Sequence, residues 1–143
     1  MIRAAELRDV ADLARLSGVL GYPISETDAL SALTETLADK THLIFVAEAE
    51  NDGRVCGFIE AERYHAVYSK ELLFNVLGLV VDTDKQGQGL GGALLRKLEA
   101  EARACGISAI RLNSGEQRLE AHQFYAAQGY VSNHSQKRFI KKL

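Results

Sequence analysis

The 143-residue sequence has no tryptophan, one proline, two cysteines and a net charge of only -2. Cys56 and Cys105 are too few for a disulfide framework. Because each lies in an apolar segment, we expect two buried free thiols in a protein of the reducing cytoplasm. The near-equal numbers of basic and acidic residues argue against general nucleic-acid binding. No apolar run reaches the roughly 18 residues of a membrane span, and the N-terminus lacks the apolar stretch of a secretory signal.

The length is most simply that of one domain, 1–143, and a hydrophobic fraction of 47% is typical of folded proteins. Helical and strand periods alternate along the chain. The predicted elements are a strand Ile2–Ala5, a helix from Asp9 to Gly21, a helix from Ser25 to about Asp39, strands His42–Glu50, Arg54–Arg63 and Leu72–Val81, a helix Leu90–Cys105, a strand Ile107–Leu112, a helix Leu119–Gln128, and one or two short strands from Tyr130.

Two features of the middle of the chain indicate the fold class. Asp52-Gly53 between two period-two segments is a strong signal for a hairpin. The segment Leu72–Val81 is apolar on both faces, which is typical of a central strand covered on both sides. We therefore expect an α/β domain whose mixed, mostly antiparallel sheet is flanked by helices.

Four of the 12 glycines, Gly87, Gly89, Gly91 and Gly92, fall within six residues between the apolar strand and a helix. The first turn of a helix leaves backbone N–H groups unpaired at the positive end of its dipole. Glycines also allow a bulky anion to approach the main chain closely. The loop therefore predicts a site for a phosphate group, and especially for a diphosphate.

Two common phosphate-binding loops do not fit this segment. A Walker loop requires Lys followed by Ser or Thr after the glycines, and neither pair is present. A dinucleotide fingerprint G-x-G-x-x-G is formally present as Gly87, Gly89 and Gly92, but five residues separate Val81 from the first glycine. The acidic ribose ligand expected at the end of the next strand is also missing, because Asn113 stands there.

A third pattern fits better. Gln86-x-x-Gly89-x-Gly91 follows a strand that ends at Val81, and it resembles the acyl-CoA loop of the GNAT superfamily of N-acetyltransferases. A second segment resembles that family's next motif: it places Phe124-Tyr125 three residues after Ala121 and ends with Gly129-Tyr130. Element order and length agree as well, so the resemblance covers essentially the whole chain. It implies a GNAT-like acyl-CoA N-acyltransferase fold with acetyl-CoA as cosubstrate and no metal.

The resemblance also implies roles for particular residues. Backbone groups of Leu79, Val80 and Val81 would pair with the pantetheine arm of acetyl-CoA, and an N–H near Leu79 or Val80 would stabilise the oxyanion. Gly78 just before them is compatible with a β-bulge. The diphosphate would be held by the Gln86 side chain and by backbone amides of Gly87, Gln88, Gly89, Leu90, Gly91 and Gly92.

Tyr125 matches the family's tyrosine that protonates the leaving thiolate, because a phenol is protonated at neutral pH. The general base stays open. Relatives carry Glu at the positions of Asn75 or Asn113, and an amide side chain is not basic near neutral pH. The remaining candidates are Glu116, Glu60, Glu62, His122 and an ordered water chain. Arg118 stands where relatives often have Asn, either reaching a CoA phosphate or lying in solvent.

We therefore expect an enzyme that moves an acetyl group from acetyl-CoA to a primary amine of a small molecule or a protein by direct attack. The alternative is a regulatory module that binds acetyl-CoA without turnover. Tyr125 and Gln86 argue against that alternative, since a pure binder needs no acid for the thiolate. The acceptor is not specified by any comparable motif, and a homodimer through the C-terminal strand edge is possible by family analogy alone.

Overall fold

The computed structural model describes all residues, 1–143, and contains one five-stranded sheet and four α-helices. The elements are β1 (Ile2–Ala4), α1 (Val10–Leu20), α2 (Glu26–Ala38), β2 (His42–Glu48), β3 (Val55–Tyr64), β4 (Leu73–Val81), α3 (Leu90–Ala104), β5 (Ala109–Arg111) and α4 (Leu119–Ala127). Two short 3₁₀ helices lie at Leu7–Asp9 and Thr83–Lys85. The predicted order of elements is confirmed as far as α4.

The sheet has the strand order β1-β2-β3-β4-β5, so each strand pairs with its neighbour in sequence. The pairs from β1 to β4 are antiparallel, and β5 is parallel to β4. The expected mixed, mostly antiparallel sheet is therefore confirmed. The one parallel pair follows from α3, because a crossover helix is what parallel neighbours require.

Helices cover both faces of this sheet. Adjacent residues of β2 show the two faces: Val46 belongs to the core against α1 and α2, whereas the ring of Phe45 lies 5.3 Å from Lys97 of α3. The cluster on the α1–α2 face consists of Ala5, Leu13, Leu16, Leu33, Val46, Val55, Phe58 and Val80. On the other face α3 buries Leu94, Leu95 and Leu98 completely. Contacts of both α1 and α3 with β4 confirm that this strand is covered on both sides.

Predicted caps and turns lie where local chemistry places them. Gly21 ends α1 with a φ of 108°, and the Ser25 hydroxyl accepts a hydrogen bond from the Asp28 N–H at 3.1 Å at the start of α2. Gly53 has a φ of 68° in the hairpin between β2 and β3. These boundaries are local because each depends on one backbone conformation or one capping bond.

Strand β4 is irregular at two places. Opposite β3, Glu60 pairs with Gly78 and the next residue, Ala61, pairs with Val76, so Leu77 is an extra residue in β4. This β-bulge confirms the interpretation of Gly78. On the other edge, β5 pairs with Leu73 through Asn75 and no further. From Val76 onward the second edge of β4 has no strand partner.

The chain divides into two compact units, residues 1–112 and 113–143. The second unit contains α4, which ends in a Schellman motif. Gly129 has a φ of 91° and donates its N–H to Ala126, and Tyr130 donates its N–H to Tyr125. The helix end predicted from Gly129 is thereby confirmed.

Two expectations are wrong. Residues 130–143 form no strand, and Val131, Phe139 and Ile140 are exposed. The run 132–137 is entirely polar, so it offers no alternating apolar face to hold a strand in register. Cys56 is buried as expected, but Cys105 is exposed, because it caps the C-terminus of α3 beyond the last buried residue, Ala102.

None of the helices is long and apolar enough to cross a bilayer.

Candidate active site

The glycine-rich loop begins at Asp82, directly after β4. One 3₁₀ turn follows, closed by the bond from the Lys85 N–H to the Asp82 carbonyl at 2.9 Å. Gly87 and Gly89 then have φ values of 80° and 83°, a conformation that L side chains rarely adopt. Glycine is therefore required at these two positions by the path of the loop itself.

Helix α3 starts without a side-chain cap. Its N-cap is Gly89, and the first helical hydrogen bond runs from the Ala93 N–H to the Gly89 carbonyl at 3.0 Å. The N–H groups of Leu90, Gly91 and Gly92 precede that bond, at the positive end of the helix dipole. No heavy atom outside the chain neighbours lies within 4 Å of a Cβ built on Gly89. The geometry is that of an open anion-binding helix N-terminus.

Gln86 is exposed, and its side chain donates from Nε2 to the Val81 carbonyl at 3.1 Å. The bond joins the end of β4 to the middle of the loop. Two of the residues predicted to contact CoA are thus brought together, with the amide of Gln86 at the base of the glycine turn.

Leu79, Val80 and Val81 pair with β3 on one edge only, opposite Ile59, Phe58 and Gly57. Alternate backbone groups of an extended strand point toward the other edge, where β5 does not reach. The three residues therefore leave main-chain donors and acceptors available to an extended ligand. The bulge at Leu77 lies immediately before them.

Four polar side chains form a row on the α1–α2 face of the sheet, which we call the polar row: His42, Glu60, Glu62 and Asn75. The imidazole Nε2 of His42 lies 3.3 Å from Oε2 of Glu60, and Asn75 donates from Nδ2 to Oε1 of Glu62 at 3.2 Å. Burial raises the pKa of Glu60 above its ordinary value, although His42 opposes the shift. A carboxyl with a raised pKa is suited to proton transfer near neutral pH.

Arg111 of β5 extends this row. Its Nε donates to Oδ1 of Asn75 at 3.3 Å, and its guanidinium lies 4.2 Å from the centre of the Tyr64 ring. Of the open candidates for the base, Glu62 is thus bonded to Asn75, and Glu60 lies two residues away on the same face of β3. His42 and Arg111 were missed by sequence reasoning, although the alternation of His42 with Ile44 and Val46 placed it on the core face of β2.

Tyr125 lies on α4 in the second unit. Its ring contacts Phe124 and Tyr130 edge to face, with centroid distances of 5.2 and 6.2 Å. Burial raises the pKa of the phenol, and the charge of Arg118 opposes the shift. The hydroxyl is therefore protonated at neutral pH.

The other candidates for the base are less suited to that role. Glu116 is exposed, as is Asn113, whose amide side chain is not a base. The imidazole Nε2 of His122 lies 2.8 Å from the Gly115 carbonyl, a contact that ties the turn before α4 to the helix. His122 is thus engaged within its own unit.

Comparisons with known proteins identify the family of this chain. The Acetyltransferase (GNAT) family matches residues 7–130. An aminoglycoside N(6')-acetyltransferase of Stenotrophomonas maltophilia is 33% identical over 133 residues, 90% of this chain and 84% of that protein. An aminoalkylphosphonate N-acetyltransferase of Salmonella typhimurium is 33% identical over 95 residues, and the match spans 66% of this chain but only 60% of that relative.

Solved structures show the same fold. An aminoglycoside 6'-N-acetyltransferase from Acinetobacter haemolyticus has a TM-score of 0.84 at 19% identity, and a GNAT family acetyltransferase from Staphylococcus aureus has 0.82 at 24%. All of this chain is covered in both cases, with 99% and 98% of the other chains. The protein belongs to the GNAT family of acetyltransferases. This confirms the predicted fold and the predicted enzyme class, an acetyl-CoA-dependent acyltransferase.

Proposed function

We propose that the protein transfers the acetyl group of acetyl-CoA to the primary amine of a small polar molecule by direct attack. The observation that carries the proposal is the uncapped, glycine-rich N-terminus of α3 directly after an unpaired edge of β4. Such an arrangement presents a positive helix end to a diphosphate and main-chain groups to the amide-bearing arm that follows it. In acetyl-CoA the diphosphate and the amide-bearing arm are next to each other, as are these two parts of the protein.

The donor is held in two parts. Backbone amides from Gly87 to Gly92 and the side chain of Gln86 bind the diphosphate. The free edge of Leu79, Val80 and Val81 pairs with the pantetheine amides like an added strand. One N–H near Leu79 or Val80 then stabilises the oxyanion that develops on the thioester.

The reaction moves two protons. The amine nitrogen attacks the acetyl carbon, the C–S bond breaks, and the departing thiolate takes the phenolic proton of Tyr125. An ordinary thiol has a pKa of about 8.5, so the thiolate needs an acid to leave as a thiol at neutral pH. The raised pKa of Tyr125 keeps that acid protonated.

The amine proton goes to Glu60, directly or through a water molecule. Glu60 is the member of the polar row whose pKa burial raises, and His42 lies within hydrogen-bonding distance of its carboxyl. Glu62, oriented by Asn75, adds a second carboxylate on the same face. The carboxylate that relatives carry at position 75 is thus supplied here from the neighbouring strand.

The acceptor is a small polar molecule that carries an ammonium group. The two curated relatives are named for aminoglycosides and aminoalkylphosphonates, which share an amine on a polar scaffold. The carboxylates of Glu60 and Glu62 attract an ammonium group to this face of the sheet. We place the reaction in the cytoplasm, which suits the free thiol of Cys56, and treat 1–143 as one functional domain.

A panel of amines that includes aminoglycosides, aminoalkylphosphonates and polyamines tests this function. Release of free CoA is followed for each amine against the amine-free background. We expect release with at least one cationic acceptor. Tight acetyl-CoA binding without release for any amine would instead support the non-catalytic regulatory module.

A further inference from the structure

Arg15 joins three elements at the entrance of the glycine-rich loop. From the middle of α1 its guanidinium binds the carboxylate of Asp82 through Nη1. Through Nη2 it donates to the Val55 carbonyl at 2.8 Å and to the Asp12 carboxylate at 3.3 Å. The side chains of Arg15 and Asp82 are only 30% and 13% exposed, so water screens the ion pair weakly.

Asp82 is the first residue of the loop, and each of its polar groups is bonded. Its N–H donates to the Cys56 carbonyl at 2.7 Å, and its own carbonyl accepts from Lys85. Cys56 is an extra residue of β3, since Val55 pairs with Glu48 and Gly57 with Ala47. The loop entrance is therefore set on an irregular part of β3, and Arg15 fixes the remaining group, the carboxylate.

Beyond Asp82 the backbone conformation of the loop depends on its glycines. Residues 86–89 are exposed, and Gly87 and Gly89 have positive φ values that no side chain maintains by packing. The direction in which the chain leaves Asp82 therefore governs where the amides before α3 point. Apart from the bond of Gln86 to Val81, the exposed residues 86–89 make few contacts, so we expect a change at Asp82 to displace their amides.

Charge gives the pair a second effect. An unpaired carboxylate at Asp82 would repel a diphosphate bound to the loop that Asp82 opens. Arg15 neutralises that carboxylate with a charge-assisted hydrogen bond and draws it toward α1.

We propose that Arg15 is a positioning residue for CoA binding, acting through Asp82 without touching CoA. The inference rests on the proposed function of the loop. If loss of the pair leaves about one tenth of the molecules with the loop in its binding arrangement, the apparent Kd for CoA rises about tenfold.

The test measures binding of CoA by titration calorimetry and thermal unfolding for Arg15→Gln, Asp82→Asn and the double variant. Asp82→Asn keeps the backbone bonds of Asp82 and the bonds of Arg15 to Val55 and Asp12. We expect Asp82→Asn to weaken CoA binding about tenfold and Arg15→Gln, which also leaves the Asp82 carboxylate unpaired, to weaken it by at least as much. The double variant should bind no more weakly than Arg15→Gln, because the two residues act as one unit. Arg8→Gln is the matched control, since Arg8 is exposed and pairs with Glu6, and it should bind CoA normally.

The outcomes separate the inference from the function on which it rests. Unchanged CoA affinity in Arg15→Gln or Asp82→Asn, with or without a lower unfolding temperature, would show a merely structural pair and overturn the inference. Wild-type protein that does not bind CoA would overturn the proposed function and the inference together. Binding by the wild type with weakening of about tenfold or more in both single variants supports both.

Discussion

Burial suits two weak acids, Glu60 and Tyr125, to the opposite proton transfers proposed for them. Burial disfavours the charged form of each, so the pKa of both groups is raised. For the carboxyl of Glu60 the pKa moves toward neutral pH, so its carboxylate form is a stronger base and can accept a proton. For the phenol it secures the protonated form, which can donate one.

Glu60→Gln should lower kcat/KM for the amine by about 100-fold, in the range typical of a lost general base. Activity of the wild type should rise with pH as Glu60 ionises, above the ordinary pKa of a glutamate, and the variant should lack that acidic limb. Rate profiles from pH 4.5 to 9 measure this. A variant that keeps both the rate and the limb would exclude Glu60 as the base.

Unfolding measurements provide the control for Glu60→Gln. Because the pKa of Glu60 is raised in the folded state, the folded state binds more protons than the unfolded chain as the pH passes between the two pKa values. The contribution of Glu60 to the free energy of unfolding therefore falls as the pH rises. A neutral Gln should not lower the unfolding temperature at pH 7, so a lost rate is not caused by unfolding.

Tyr125→Phe should reduce kcat by about 100-fold and leave the affinity for acetyl-CoA nearly unchanged. The substitution removes the proton and keeps the ring that packs against Phe124 and Tyr130. Single-turnover kinetics and binding titrations measure the two effects separately. An unchanged rate would remove Tyr125 from the mechanism.

At the scale of elements, the site depends on places where regular structure stops. The bulge at Leu77, the end of pairing at Asn75 and the uncapped start of α3 each leave backbone groups without a partner. In a buried sheet such groups are normally satisfied. Their concentration along one strand and the helix that follows it is what makes a main-chain site for a ligand.

Gly89→Asp should abolish binding of acetyl-CoA, because a carboxylate would stand at the helix end that receives the diphosphate. Gly89→Ala separates the contributions: it adds the strain of a side chain at a φ of 83°, about 1–2 kcal/mol, without a charge. Calorimetric titration should show weaker binding for Ala and none for Asp.

Gly106→Ala is the matched control, since Gly106 has a φ of 72° beyond the opposite end of α3. It should lose comparable stability and bind acetyl-CoA normally. Binding by Gly89→Asp at the wild-type level would place the phosphate site elsewhere.

At the scale of the whole molecule, one buried ion pair joins the N-terminal strand to the first helical turns. Both guanidinium ends of Arg3 bind Asp9 at 2.8 Å, and the Glu6 N–H also donates to this carboxylate. Asp9 is only 5% exposed. Burial opposes its ionisation, but the bonds from Arg3 and Glu6 outweigh it, and the pKa of Asp9 lies below its ordinary value.

Asp9→Asn should lower the free energy of unfolding by about 2 kcal/mol, because it removes the charge that both Nη atoms of Arg3 bind and leaves Glu48 as the only carboxylate paired with that guanidinium. A carboxyl with a lowered pKa stabilises the fold above its unfolded pKa, and that stability is lost as pH falls through the folded pKa. Urea unfolding at pH 7 and at about pH 3 should show a smaller difference between variant and wild type in acid. An equal difference at both values would contradict the assignment.

Local signals explain how much of this fold could be predicted. Ser25, Gly53 and Gly129 each act through a single turn or cap, so the boundaries they mark agree with the structure. The prediction of C-terminal strands was wrong because a strand needs a neighbouring strand to pair with as well as suitable residues. Nothing in the sequence of 130–143 specifies such a neighbour. The prediction that Cys105 is buried was wrong for a related reason. Periodicity assigns a residue to one face of a helix, but Cys105 lies at the end of α3, where that face is no longer covered by the core.

The candidate site also contains parts that the sequence could predict and parts that it could not. The glycine loop and its place before α3 could be predicted because the loop and the helix start consist of consecutive residues, and the role of this loop in binding CoA stays a prediction. The polar row and the pair of Arg15 with Asp82 could not be predicted, because they join residues 13 to 67 positions apart. The first depends on the register of the sheet and the second on the packing of α1 against it. Sequence alone thus determined the family, the order of elements as far as α4 and the glycine-rich loop before α3, through local conformation and motif spacing. Tertiary structure decided which carboxylates meet Asn75 and what holds the loop entrance, because pairing of distant strands and helices brings those charges together.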